Sequence, residues 1–187
     1  MINKLLGIFK RDYQTLNKIE ISKENLLQNF KYLSSLKKKV KIAPVLKSNA
    51  YGHGIVEIAK ILDSQDAPHG ASPFFCVDSL HEAYELLKAR IKTPILIMGY
   101  TDPQNFKVKK LPFSYAVFDI ELAKVLNKYQ SGCRIHIFVD TGMNREGVAI
   151  NELPKFLEEI KQLENIKIEG LMSHLASTDN VKDPLNK

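Results

Sequence analysis

The sequence predicts an α/β fold in which parallel strands are covered by helices, and three observations carry the prediction. Short apolar or β-branched runs recur at 42–46, 74–77, 95–98, 115–118, 135–139 and 168–172. They read as continuous apolar stretches rather than alternating ones, as strands buried on both faces do. Between them lie segments with apolar residues at helical spacing, so that strands recur about every twenty to thirty residues, as βα units require.

Each element can be justified in turn. A first helix follows Ser22, a residue type that caps helix starts, and carries Leu26, Leu27, Phe30 and Leu33. The run 42–46 is the first strand. Ile55, Ile58, Ala59 and Leu62 mark one face of the next helix. After the run 74–77, Ser79 and Glu82 have the spacing of a capping box and open a helix with Ala83, Leu86 and Leu87. Asp102-Pro103 after the third run is an N-cap followed by proline at the first helical position, though that helix is weak. Asp119 caps a helix with Leu122, Val125 and Leu126, and Asn151 starts one with Phe156, Leu157 and Ile160. This makes about six βα units. A closed eight-stranded barrel takes typically ~250 residues, so the chain reads as an open sheet or a barrel cut short. The stretch 179–187 is polar and reads as a loop leading into something further.

Of the 187 residues 44% are apolar and 26% charged, ordinary for one globular domain. That excludes a disordered tail, a collagen-like fibre and a disulfide-stapled miniprotein. No apolar run approaches the ~18–20 residues needed to cross a bilayer, and no membrane partner is expected. The apolar patch Leu5, Leu6, Ile8 and Phe9 is followed at once by Lys10, Arg11 and Asp12. With no long apolar core or cleavage site, a secretory signal is not expected. Cys76 and Cys133 fall far apart and are expected to be reduced core residues of a cytoplasmic protein. The net charge is +6, but only four of the 27 basic residues are arginine and the lysines are spread along the chain. The dense run 37–41 sits where a helix should end, and lysine favours that end of the dipole. It reads as a solvated helix terminus, and no pattern supports nucleic-acid binding.

The segment 43–54 carries the most chemistry. Lys47 stands at the C-terminal end of an apolar strand, where α/β enzymes place functional groups, and an amine there can form a Schiff base with an aldehyde. Tyr51 lies in the following loop and can turn its phenol to the same mouth. Gly52 and Gly54 free the backbone before a helix N-terminus, a favourable place for a phosphate. The plainer alternatives are a lysine ending a strand in solvent, a surface ion pair for Arg145, and a satisfied strand-end histidine for His174. His53 reads as a solvated loop histidine.

The string Val45-Leu46-Lys47-Ser48-Asn49-Ala50-Tyr51-Gly52-His53-Gly54 closely resembles the pyridoxal-phosphate signature of alanine racemases. Two more segments resemble that family in the expected order. Val139-Asp140-Thr141-Gly142-Met143-Asn144-Arg145-Glu146-Gly147 is similar to its strand-end arginine motif, and the stretch from Glu169 to Asp179 to its histidine motif. The resemblance implies a parallel (β/α)8 TIM-type barrel, incomplete here. It makes residues 1–187 one N-terminal barrel domain lacking its last strands and a C-terminal β-rich domain. It implies interconversion of L- and D-alanine with pyridoxal 5'-phosphate, supplying D-alanine for peptidoglycan, by a cytoplasmic homodimer acting on a small amino acid.

Residue by residue, the resemblance implies that Lys47 carries the cofactor through an imine and acts as one of two bases. Tyr51 would bond the cofactor phosphate, Arg145 the substrate carboxylate and the cofactor's phenolic oxygen, and His174 would lie close to the cofactor ring. The opposite base, a tyrosine of the partner subunit in the family, would lie beyond Lys187. Two departures stand out. Many members brace the arginine with a carboxylated lysine seven residues earlier, where this chain has Phe138; and Glu146 stands where an apolar residue is common. Two other functions stay open: a non-catalytic pyridoxal-phosphate-binding protein of cofactor homeostasis, and an inactive racemase fragment.

Overall fold

A computed structural model of the chain describes residues 16–37, 39–64, 73–180 and 182–184. The apolar patch Leu5–Phe9, the charges that follow it and Lys38 of the basic run lie outside the described residues. The elements are α1 (Lys23–Ser35), α2 (Lys47–Tyr51), α3 (Ile55–Leu62), β1 (Phe75–Val77), α4 (Leu80–Lys88) and β2 (Ile95–Ile97). Then come a 3-10 turn (Pro103–Lys107), β3 (Ser114–Val117), α5 (Ile120–Tyr129), β4 (Arg134–Asp140), β5 (Val148–Ala149), α6 (Leu153–Ile160) and β6 (Lys167–Met172). Every strand pairing is parallel: β1, β2, β3 and β4 follow in order, and β6 and the short β5 both pair with β4.

The caps expected from sequence form. Ser22, Ser79, Asp102 and Asp119 each accept a backbone N–H of the turn they open. Four expectations need correction. The first strand shrinks to one parallel bridge, Val45 to Cys76, because Pro44 has no N–H for a longer ladder and the chain turns sharply after Leu46. The Asp102-Pro103 segment is 3-10 rather than α. The helix expected from Asn151 begins at Leu153. Leu33 and Leu87 point to solvent, on the flanks of helices whose buried faces are held by Leu27 and Phe30, and by Ala83 and Leu86.

Strand residues alternate between two buried faces. Phe75, Val77, Ile97, Val117, Ile135 and Ile137 pack beneath the helices in one apolar core. The residues between them, including Cys76, Leu96, Ala116 and His136, are buried on the opposite face. Phe74 beside β1 meets His136 of β4 edge-on, with ring centroids 5.1 Å apart. In a flat sheet those strands would stand about 14 Å apart at ~4.8 Å per strand, so the sheet curls round an interior.

His136 donates to or accepts from Glu169 at 3.0 Å inside that curl. The β4–β6 register shifts between Ile135 and His136, and this bulge aims the Glu169 carboxylate at the imidazole. Ile168 and Leu171 on the outer face of β6 are exposed, and among the described residues β6 pairs only with β4. No helix among the described residues is long and apolar enough to cross a membrane.

Candidate active site

Lys47 sits half-buried at the C-terminal end of the sheet, one residue past the Leu46 N–H that bonds the Cys76 carbonyl at 2.7 Å. The chain then makes a turn of unusual hand. Ser48, Asn49, Ala50 and Tyr51 have φ of 54°, 55°, 52° and 54°, so α2 is a left-handed turn. Several bonds hold it. Gly52 N–H donates to the Ser48 carbonyl at 3.0 Å and Gly54 N–H to the Asn49 carbonyl at 3.0 Å. The Asn49 side chain accepts the Ile55 N–H at 2.8 Å. Glu82 accepts from Asn49 N–H at 3.4 Å and from Asp78 N–H at 2.9 Å, tying the turn to the start of α4.

This arrangement revises two readings. Glu82 does not complete a capping box on Ser79; its carboxylate serves Asp78 and Asn49 instead. At the start of α3 the Asn49 side chain takes the Ile55 N–H, which leaves that turn one donor fewer for an anion. His53 Nδ1 bonds the Ala50 carbonyl at 2.9 Å, supporting the same turn.

Arg145 is placed by the loop after β4. One oxygen of Asp140 accepts the N–H groups of Gly142 at 2.9 Å and Asn144 at 3.1 Å. These donors hold the Asp140 carboxyl below its ordinary range, Gly142 contributing most. The loop closes through Gly147 at φ +131°, where a Cβ would come within 2.5 Å of the Asp140 nitrogen. Thr141 then ties this loop to the one after β6, bonding the Ser173 hydroxyl and the His174 carbonyl. Arg145 Nε donates to Glu146. Arg145 thus has a carboxylate partner from its own neighbour, while Phe138 is buried in the wall.

A cavity of about 460 Å³ opens at this end of the sheet. Lys47, Tyr51, Arg145 and His174, from three separate segments, all line it, as do Glu146 and Phe138. Gly52 and Gly54 do not. Sequence reasoning missed Asp78, Met98 and Met172, which also line it; the signal available was their place at or just past the C-terminal ends of strands. Tyr51 is 62% exposed, so its phenol stands at the rim. Away from the cavity, Cys76 and Cys133 are free and buried, and burial pushes both thiols up to about 11.

A family model described as "Alanine racemase, N-terminal domain" matches residues 21–187. The chain belongs to the alanine racemase family. The alanine racemase of Carboxydothermus hydrogenoformans is 36% identical over 167 residues, which cover 86% of this chain and 43% of that protein. An amino-acid racemase of Enterococcus faecalis is 40% identical over 146 residues, 78% of this chain and 20% of that protein. The crystal structure of alanine racemase from Oenococcus oeni superposes with a TM-score of 0.77 at 28% identity, covering 89% of this chain and 48% of that one. The chain therefore spans less than half the length of each. The fold is that of the alanine racemase N-terminal barrel, present here as an incomplete parallel (β/α)8 barrel.

Proposed function

We propose that this chain is the cofactor-binding barrel domain of a pyridoxal-phosphate-dependent racemase that interconverts L- and D-alanine. The observation that carries the reading is the gathering of Lys47, Tyr51, Arg145 and His174 round one cavity. The cavity fits the cofactor: about 460 Å³ lies within the range of small-molecule sites, and the lining offers an amine for an aldehyde and a guanidinium for an anionic oxygen.

In this reading Lys47 holds the cofactor covalently, and the Tyr51 hydroxyl donates to its phosphate at the rim. The pyridine ring, when bound, withdraws electrons and acidifies the substrate Cα–H. Arg145 grips the substrate carboxylate with its planar fork, which fixes the amino acid's orientation. Glu146 braces that fork from the Nε side, in place of the lysine that Phe138 cannot replace. His174 lines the same cavity and would contact the bound group. Once the substrate's own amine has displaced it from the cofactor, the freed Lys47 amine would take or return the Cα proton on one face, and the base for the other face is assigned to a second subunit of a homodimer. The product, D-alanine, would feed peptidoglycan synthesis.

The test is reconstitution with pyridoxal phosphate. The protein should gain visible absorbance, and borohydride should fix the cofactor to the peptide containing Lys47. Lys47→Ala should take no label. A label on another lysine, retained in Lys47→Ala, overturns the assignment.

A further inference from the structure

The parallel sheet sorts the cations. All helix-to-strand connections lie at the N-terminal end of the strands, opposite the Lys47 cavity. Lysines that are scattered in sequence therefore come together on one end of the molecule. The connection 37–41 before the Val45 bridge brings Lys37, Lys39 and Lys41; that before β2 brings Arg90 and Lys92; that before β3 brings Lys107, Lys109 and Lys110. All are exposed, and the segments 37–41, 89–93 and 107–111 contain no Asp or Glu; the neighbouring connections carry Asp63, whose carboxylate accepts the Lys92 and Thr93 N–H groups, and Glu164. Among the described residues none of these eight side chains joins an ion pair.

The helix dipole does not account for them. Helix α1 has no basic residue in its last turn, and its lysines come after the Leu36 cap. Arg90 lies past the cap of α4 at φ 60°, a left-handed position where glycine is the usual choice. Four aliphatic side chains at the same end are exposed among these cations: Leu36, Val40, Leu87 and Val108, the last 78% exposed.

We infer that this end of the barrel docks on an anionic lipid bilayer. Lysines interspersed with exposed aliphatic residues suit a membrane surface, where amines meet headgroup phosphates and aliphatic groups enter the acyl boundary. Nucleic acid fits less well. Stacking needs several open aromatic faces, but Tyr129 is covered by Lys107 and Lys128 and Tyr84 by Lys109, which leaves Tyr32 as the exposed ring beside the run 37–41. Docking by this end leaves the cavity at the other end open to solvent. The inference is independent of the racemase reading and survives its failure.

The test is co-sedimentation of the 187-residue chain with phosphatidylcholine vesicles, with and without phosphatidylglycerol, at low and high salt. Binding should require the anionic lipid and weaken with salt. Replacing Lys37, Lys39 and Lys41 by glutamine touches no packed side chain and should lower vesicle affinity about a hundredfold. At high salt, where charges are screened and the aliphatic contacts carry the residual binding, Val108→Asp should still weaken it, and unchanged residual binding there overturns the aliphatic contact. Absence of binding to the anionic vesicles overturns the inference, as does binding unaffected by the triple variant. So does release from vesicles by a short RNA at equal phosphate concentration, which would make the face a nucleic-acid surface.

Discussion

On the proposed role of Arg145, replacing Glu146 by leucine should weaken its capture of a carboxylate, and the exposure of the pair sets the size of the effect. Glu146 occupies Nε of the guanidinium and leaves the two terminal nitrogens to grip a ligand end-on. The two side chains are 48% and 43% exposed, so solvent screens the pair. Exposed pairs contribute about 0.2–1 kcal/mol. Losing the brace should therefore cost about 1.4- to 5-fold in alanine affinity by the same measure. Glu146→Gln keeps an acceptor without the charge and should fall between. Arg145→Lys removes the fork itself; bonds to charged groups contribute about 1.5–3 kcal/mol, and the lower end suits this exposure, giving roughly a tenfold loss. The assay is a titration of the pyridoxal-phosphate-loaded chain with L- and D-alanine followed by visible absorbance, after cofactor loading has been matched between variants. Tighter alanine binding in Glu146→Leu would refute the reasoning, because Glu146 would then compete with the ligand for Arg145 instead of orienting it.

Three other outcomes follow from the same contacts. The Asp140 carboxyl titrates below its ordinary range, so its bonds to Gly142 and Asn144 are intact at neutral pH and lost as acid protonates it. Hydrogen-exchange protection of those two amides should persist through the ordinary carboxylate range and fall only in stronger acid, a dependence that Asp140→Asn abolishes; the same profile in both proteins would contradict this. Gln130 is fully buried and serves Leu111 N–H and the Phe106 and Lys109 carbonyls. Gln130→Leu should lower urea stability by about 1–3 kcal/mol for the stranded donor alone, and an unchanged midpoint would show that water replaces the amide. With both thiols raised to about 11 and buried, Cys76 and Cys133 should resist an aromatic disulfide reagent at neutral pH until the chain is unfolded. Rapid labelling of the native chain would show that the core opens.

What was legible in the sequence was whatever depends on period and composition. Continuous apolar strands and amphipathic helices placed β1 to β4, β6 and five of the helices, because burial of Val77, Ile97, Val117 and Ile137 on one side and their neighbours on the other leaves no polar alternation. What was not legible depends on contacts between distant residues. Nothing near Glu82 indicates that it reaches back to Asn49, thirty-three positions away. Gln130 in sequence is a polar residue at a helix end; only the folded loop shows it satisfying three backbone groups. The short β5 pairs two residues and has too little pattern to be read. The lysines are scattered in sequence, and only the parallel topology brings those of the connections to one end of the sheet.

The left-handed turn after Lys47 concentrates backbone strain beside the candidate site. Left-handed backbone costs an L-residue roughly 1–2 kcal/mol, and it ordinarily occurs at single positions. Here four consecutive non-glycine residues adopt it. Glycine would relieve the clash but would also let the segment relax into other conformations. The cost is offset from three directions: the Ser48 and Asn49 carbonyls are bonded by Gly52 and Gly54, Asn49 reaches forward to cap α3, and Glu82 holds the Asn49 N–H from α4. Ala50 at the centre is buried against the core, so the turn is also packed. Backbone held this way persists only where its surroundings over-determine it, which is typical of functional sites. The direction in which Lys47 leaves its strand is therefore set by α3, α4 and β1 together. Asn49→Ala should loosen the turn by removing the α3 cap, and the reading expects slower cofactor capture by Lys47 with the helices otherwise intact. Cofactor capture at an unchanged rate in Asn49→Ala would show that the remaining bonds suffice to hold Lys47.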